Sequence, residues 1–213
     1  MDDHSFWTRT WESFDPDRIP LYLAHLNRSA DPVIDFLKQR EIRYVCDAGC
    51  GCGAYALKLA RHGFTVEGFD VSKNAVSLAE KLFAENGYPA SGFRTADIRS
   101  TGYADGLFDA VIARDVIDHL PIKEGIAAVK ELRRIVRPGG CVLLTLDSAD
   151  EEYESEPHSV NKDGDYLFPD GKWAGMAFHP YSLRDAERLA AGADHTVLPS
   201  AGDGLFLVFE KRA

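Results

Sequence analysis

Cys46-Asp-Ala-Gly-Cys-Gly-Cys-Gly53 sets three of the chain's four cysteines among three glycines within eight residues. Such a stretch fits either a thiolate site for metal or redox chemistry, or a glycine turn that lets the backbone approach a ligand. The flanks decide between them. Ile42 to Ala48 reads as a buried strand, and Ala54 to His62 as a helix with Leu57 and Ala60 on one face and Gly63 as its stop. Between a strand and a helix, glycines let the backbone turn sharply with no Cβ in a ligand's way. A structural zinc site wants paired Cys or His knuckles. Here His62 is the nearest imidazole, and Cys141 lies in the apolar run Cys141-Val-Leu-Leu-Thr-Leu146. No metal is expected. Cys46 points from its strand into the core, while Cys50 and Cys52 fill loop positions where a thiol can reach solvent.

Outward from this turn the chain alternates. Phe64 to Phe69 reads as a second strand, and Ser72 as the N-cap of a helix through Asn86 that turns Val76, Ala79, Leu82 and Phe83 inward, with Gly87 as its stop. Strands follow at Phe93 to Ala96 and Phe108 to Ala113. An amphipathic helix runs from Lys123 to Val136, then come the turn Pro138-Gly-Gly140 and a strand from Cys141 to Leu146. Alternation of this kind predicts a parallel, doubly wound sheet. Upstream lie a loose aromatic start (Phe6, Trp7, Trp11, Phe14) and a short helix from Pro32 to Gln39.

Downstream the character changes. From Asp147 to Gly171 nine acidic residues face the lone Lys162, which marks a solvated, inserted lid. Within it Asp165 to Phe168 and Gly175 to Phe178 flank the turn Pro169-Asp-Gly171, predicting a small hairpin near the edge of the sheet. A helix from Ser182 to Ala191 follows. The strands His195 to Leu198 and Leu205 to Glu210 are separated only by Ser200-Ala-Gly-Asp-Gly204, too short for a crossover helix, so they pair antiparallel.

With 213 residues, 45% of them hydrophobic, the chain can bury one substantial core and reads as a single domain. It divides into an N-terminal cap region (1–40), a cofactor-binding core (41–146), the inserted lid (147–181) and a C-terminal helix with the antiparallel strand pair (182–213). A net charge of -10, with no basic run, argues against nucleic acid as a partner. No basic leader or membrane-length apolar run is present, so the expected location is cytoplasmic, away from membranes. A monomer or homodimer is expected.

Two cofactors remain compatible with the glycine turn. Gly49, Gly51 and Ala54 satisfy the dinucleotide pattern, with Asp70 twenty-one residues after Gly49 to take the ribose hydroxyls of NAD. Yet Asp47 stands two residues before the first glycine, where it opposes a pyrophosphate and favours a cationic amino-acid group. Asp97-Ile98 ends the third strand, where a carboxylate can accept from an exocyclic adenine amine. No Tyr-x3-Lys pair for hydride transfer is evident.

In this setting the chain resembles the class I S-adenosylmethionine-dependent methyltransferases. Val45 to Tyr55 is similar to the family's first motif, Gly68-Phe-Asp-Val-Ser72 to its second and Thr95-Ala-Asp-Ile98 to its third. The segment Phe108 to Leu120 resembles the family's fourth strand, and Arg137-Pro-Gly-Gly140 the turn before its fifth. The resemblance implies a doubly wound, mostly parallel seven-stranded Rossmann-like sheet with an antiparallel last strand, helices on both faces and a lid or hairpin after strand five. It implies S-adenosyl-L-methionine as cofactor and S-adenosyl-L-homocysteine as product. Asp47, Ala48, Gly49, Cys50, Gly51 and Gly53 would hold the methionine part, and Asp70 the ribose. Val71, Asp97 and Ile98 would meet adenine, and Arg114 would lie beside the sulfonium and carboxylate.

A sulfonium methyl is already activated, so the protein's task is to align a nucleophile and exclude water. The acceptor is expected to be a small molecule, held by the N-terminal aromatics (Trp7, Trp11, Tyr22) and the lid (Tyr166, His179, Tyr181 among them). His119, His179 and Tyr181 are the candidates for moving a proton. An NAD-dependent oxidoreductase and a non-catalytic S-adenosylmethionine-binding protein are the alternatives.

Overall fold

In the computed structural model, residues 3–26, 31–147, 151–190, 193–198 and 205–212 are described. The N-terminal region is helical rather than loose: α1 spans Asp3–Glu12, α2 Ile19–Leu26 and α3 Pro32–Gln39. The core then alternates through β1 (Tyr44–Ala48), α4 (Ala54–Arg61), β2 (Thr65–Asp70), α5 (Lys73–Glu85), β3 (Phe93–Thr95), β4 (Phe108–Ala113), α6 (Ile122–Ile135) and β5 (Val136–Leu146). The insert carries one helical turn, α7 (Glu151–Glu154), and three short strands, β6 (Ser159–Val160), β7 (Tyr166–Leu167) and β8 (Ala177–Phe178). The chain returns through α8 (Leu183–Ala190), β9 (His195–Leu198) and β10 (Leu205–Glu210). The expected 200–204 turn and the expected end of the last helix at Ala191 lie outside the described residues.

Seven strands form one sheet in the order β3-β2-β1-β4-β5-β10-β9. Neighbours from β3 to β5 are parallel, and β10 runs antiparallel to both β5 and β9. The strand order reverses between β1 and β4, which opens a crevice at their C-terminal ends. Val45, Cys46, Ala110 to Ala113 and Leu143 to Leu144 are fully buried, as strands covered on both faces must be.

Local sequence explains the elements that shape this crevice. The Ser72 side chain accepts from Ala75 N and starts α5, whose inward face is Val76, Ala79, Leu82 and Phe83. Helix α4 is buried from Ala54 to Ala60 because α2 covers its outer side. Even Lys58 is buried, its ammonium 2.8 Å from Asp31 Oδ2 and 2.6 Å from the Leu26 carbonyl. β5 begins at Val136, earlier than expected, and absorbs Pro138-Gly-Gly140 as a bulge: Phe108 opposes Val136, whereas Ala110 opposes Cys141.

The insert departs from its expected place. Its hairpin gains a third strand, β6, and packs over the turn Ile117–His119 that follows β4, in the middle of the main sheet rather than at its edge. The His179 N–H donates to the Asp118 carbonyl at 2.7 Å and the Ile122 N–H to Asp165 Oδ1 at 2.8 Å. These two bonds seat the insert at the start of α6.

Candidate functional site

The turn after β1 takes its shape from three left-handed glycines, Gly49, Gly51 and Gly53. A Cβ on Gly49 would stand 2.5 Å from Val116 Cγ2, and one on Gly51 2.5 Å from Trp11 Cζ2. The glycines therefore admit neighbouring side chains as well as a ligand. Gly53 lets α4 approach Ala79 of α5 and serves helix packing. Cys50 and Cys52 are buried, so these loop positions pack their thiols rather than present them to solvent. Burial raises the thiols of Cys46 and Cys50 well above the ordinary range, helped by Asp47 and Glu67 at Cys46 and by Asp47 and Asp70 at Cys50. Among the described residues no group of His, Cys, Asp and Glu is arranged to hold a metal ion.

Above this turn lies a cleft that is open to solvent. Gly49, Asp70, Val71, Asp97, Ile98 and His119 line it, together with Trp7 and Trp11 from α1. It sits over the reversal point of the sheet, where ligands of open α/β sheets bind.

Asp70 closes β2 and clamps the glycine turn. Its Oδ2 accepts the Gly51 N–H at 2.9 Å and its Oδ1 the Ser72 N–H at 2.9 Å. Burial pushes its carboxyl up, against the pull of these N–H groups. Each oxygen keeps acceptor capacity toward the cleft. Asp47 is more deeply buried, and its Oδ2 has no partner among the described residues. Burial raises its carboxyl to about 7, opposed by Arg114 and the Ala56 N–H. Arg114 does not line the cleft: its guanidinium lies over the Tyr55 ring, 4.3 Å from the centroid.

Asp97 lies in the cleft wall, but its carboxylate is engaged. Arg99 reaches it through its backbone N, Nε and Nη2, and His4 Nε2 stands 3.0 Å from Oδ2. Burial works against the charge, yet Arg99 and His4 outweigh it and hold the carboxyl below its usual range. Arg99 also pairs with Glu124 of α6. Sequence reasoning missed Arg99 and His4. The turn spacing Asp97-x-Arg99 is a visible signal, but nothing local points to His4, ninety-five residues away.

At the far end, His119 packs against Trp7, with ring centroids 4.8 Å apart, and lies within 6.4 Å of Tyr153. Tyr153 in turn stacks on Phe178 at 4.1 Å. α1 and the insert thus share one aromatic cluster above the cleft. Burial drives His119 down to about 4, with Asp115 opposing, so its imidazole is neutral at pH 7. Asp115 also lines the cleft in a left-handed conformation, φ 54°, with its carboxylate held 2.9 Å from Thr145 Oγ1. Asp118 is buried beside it, and burial together with Asp147 and Asp115 raises its carboxyl well above the usual range.

Several expected acceptor contacts lie elsewhere. His179 Nδ1 bonds Asp165 Oδ1 at 2.8 Å, and that oxygen also caps α6, so the pair fastens the insert. Tyr181 is buried against the His179 ring and occupies the space left by Gly125. Tyr166 stacks on His158, and Tyr22 is at the surface beside Arg18. None of these four lines the cleft. For Tyr166, His179 and Tyr181 the reason is that the insert packs its polar aromatics against its own strands and α6; Tyr22, on α2, faces solvent.

Residues 45–140 match the family model described as "Methyltransferase domain". The matched stretch runs from β1 into β5 and holds the glycine turn, Asp70 and Asp97. A 2-heptyl-1-hydroxyquinolin-4(1H)-one methyltransferase of Mycobacteroides abscessus is 35% identical over 121 residues, 55% of this chain and 53% of that protein. A ubiquinone biosynthesis O-methyltransferase of Paracidovorax citrulli is 31% identical over 113 residues, 53% and 47% of the two chains. The chain thus spans about half the length of these relatives. The crystal structure of magnesium protoporphyrin IX methyltransferase from Synechocystis PCC 6803 with bound S-adenosylmethionine superimposes with a TM-score of 0.68 at 20% identity, covering 99% of this chain and 98% of that one. That likeness is one of fold. Among the described residues no helix is long and apolar enough to cross a membrane.

Proposed function

We propose that the protein transfers a methyl group from S-adenosyl-L-methionine to a small-molecule acceptor by in-line displacement. The observation that carries this reading is the pairing of a clamped, cleft-lining Asp70 with a buried Asp47, whose Oδ2 has no partner among the described residues, on either side of the glycine turn. The donor set suits a nucleoside joined to an amino acid: one carboxylate for vicinal hydroxyls, one for an ammonium, and apolar Val71 and Ile98 for a base.

The bound cofactor supplies an activated methyl on sulfur. The chain's own residues do the rest. Asp70 accepts the ribose hydroxyls with the oxygens that already hold the Gly51 and Ser72 N–H groups. Asp47 meets the α-ammonium, an interaction that favours its ionised form. Trp7 and Trp11 exclude water from the reacting end, where orientation can contribute roughly 7–11 kcal/mol. His119 presents a neutral imidazole to the acceptor and Asp115 a carboxylate. Both orient it, and His119 accepts its proton where the acceptor carries one.

The test is incubation with S-adenosylmethionine and an acceptor panel, with S-adenosylhomocysteine followed by mass spectrometry. The panel begins with 2-heptyl-1-hydroxyquinolin-4(1H)-one, named for the Mycobacteroides abscessus relative, and widens to phenols, carboxylic acids and amines. Acceptor-dependent release of S-adenosylhomocysteine supports the reading. Cofactor binding with no release on any acceptor favours a binding protein instead.

A further inference from the structure

The residues lining the cleft divide by strand end. Asp70, Val71 and Ile98 stand at or after the ends of β2 and β3, where a nucleoside fits, and the glycine turn after β1 suits the amino-acid part. What remains is the end after β4, lined by Asp115, Val116, His119 and Leu120 with Trp7 of α1. The basic side chains in the cleft wall, His4 and Arg99, are both held on Asp97 after β3. Among the described residues, the end after β4 is therefore lined by a carboxylate and by no lysine or arginine.

Asp115 is fixed at this end. Its φ of 54° is uncommon for a residue with a Cβ, and Thr145 Oγ1 holds it twice, accepting the Asp115 N–H at 2.7 Å and donating to Oδ1 at 2.9 Å. The carboxylate makes no other hydrogen bond and no ion pair among the described residues. Within its field, His119 is only 8% exposed and its Nδ1 has no partner. Burial keeps that imidazole neutral, and Asp115 is the charge that opposes this. A fixed anion and an unpartnered imidazole thus share an otherwise apolar end, which suits a ligand that brings positive charge and N–H donors.

We propose that the methyl acceptor is an amine on an apolar body, with its nitrogen paired to Asp115. The inference rests on the methyl-transfer reading above and narrows its acceptor. The amine enters as an ammonium. One proton passes to the His119 imidazole, the nitrogen lone pair forms the bond to the methyl carbon, and the electron pair of the broken carbon–sulfur bond stays on sulfur. The product is a methylated ammonium, so positive charge has moved from sulfur to nitrogen, where Asp115 stabilises it. His119 then returns its proton to solvent through the open cleft. A phenolate or carboxylate acceptor would instead bring a second anion against Asp115.

The experiment is calorimetric titration of the protein loaded with S-adenosylhomocysteine, using two sets of probes that share a body and differ in the polar group. One set is tryptamine, tryptophol and indoleacetate; the other is phenethylamine, phenethyl alcohol and phenylacetate. In at least one set the amine is expected to bind about tenfold more tightly than its partners. Asp115→Asn, a residue that tolerates the left-handed backbone, is expected to lower amine affinity about tenfold while changing that of the alcohol less than about twofold. Thr145→Val, which leaves the carboxylate unheld, is expected to cost the amine about threefold. Ligand-free melting is the folding control. Incubation with S-adenosylmethionine is then expected to give the N-methylated form of the preferred amine by mass spectrometry. An alcohol or acid that binds as tightly as its amine partner, amines that bind in neither set, or amine affinity unchanged in folded Asp115→Asn overturns the inference. An amine that binds through Asp115 but is never methylated overturns its role as acceptor. Protein that binds no S-adenosylhomocysteine overturns the underlying cofactor reading instead.

Discussion

The Gly51 N–H donates to Asp70 Oδ2 at 2.9 Å, so the carboxylate that faces the cleft also fixes the turn beneath it. Asp70→Ala is therefore expected to weaken S-adenosylhomocysteine binding by about 1.5–3 kcal/mol, the range for hydrogen bonds to a charged group. Asp70→Asn, which still offers one acceptor, is expected to lose less. Calorimetry on both variants checks the order, and unchanged affinity in folded Asp70→Ala contradicts the ribose assignment.

Gly51 and Trp11 are tied by space. A Cβ at position 51 would stand 2.5 Å from Trp11 Cζ2, at a backbone φ of +51°. Gly51→Ala is expected to lower stability by about 2–4 kcal/mol, from left-handed strain and overpacking together. Adding Trp11→Ala relieves the overlap but not the strain. Urea titrations of the two single variants and the double variant measure both parts; an additive double variant removes the contact from the account.

The turn was legible in the sequence because its information is local: a strand, three glycines and a helix in one run, with Asp70 and Asp97 at the ends of the next two strands. The N-terminal helices were not. In α1 the apolar residues Phe6, Trp7 and Trp11 serve two different surfaces, the insert and the cleft, so no single helical stripe appears. The acceptor side was misjudged for a similar reason. His179 and Tyr181 look available in sequence, but their role as fasteners depends on Asp165 and Gly125, which only the fold brings to them.

Asp47 links stability to pH. Its folded value, about 7, lies above the ordinary 3.8, so the folded state holds the proton more tightly and stability falls as pH rises between those values. The span is worth at most on the order of 4 kcal/mol. Asp47→Asn is expected to flatten that part of the stability curve in urea titrations from pH 4 to 7.5, and to weaken cofactor binding. In wild type, pairing with an ammonium must expel this proton, so affinity for S-adenosylhomocysteine should rise with pH below 7. A stability curve unchanged by the substitution rules out this role.

His119 has the opposite sign. Its folded value, about 4, lies below the ordinary 6.5, so the stability tied to its neutral form is present above pH 6.5 and lost as pH falls toward 4. His119→Phe, which keeps an aromatic beside Trp7, should unfold less readily than wild type at pH 5 relative to the same comparison at pH 7.5. Equal effects at the two pH values contradict the buried neutral imidazole.

The thiols offer a direct check on the turn. All four cysteines are buried and none is in a disulfide. A chromogenic disulfide reagent at pH 8 should find fewer than one rapidly reacting thiol per native chain, and all four in denaturant. Rapid native reaction at Cys50 or Cys52 would place the turn in a different conformation.

The central claim is that the cleft over the β1–β4 reversal takes S-adenosylmethionine. Calorimetric titration with S-adenosylmethionine and S-adenosylhomocysteine, beside NAD and NADH under identical conditions, tests it most directly. Micromolar binding of the first pair alone, on the order of -8 kcal/mol, is the predicted result. Binding of the nicotinamide pair, with none of the sulfur nucleosides, contradicts the account.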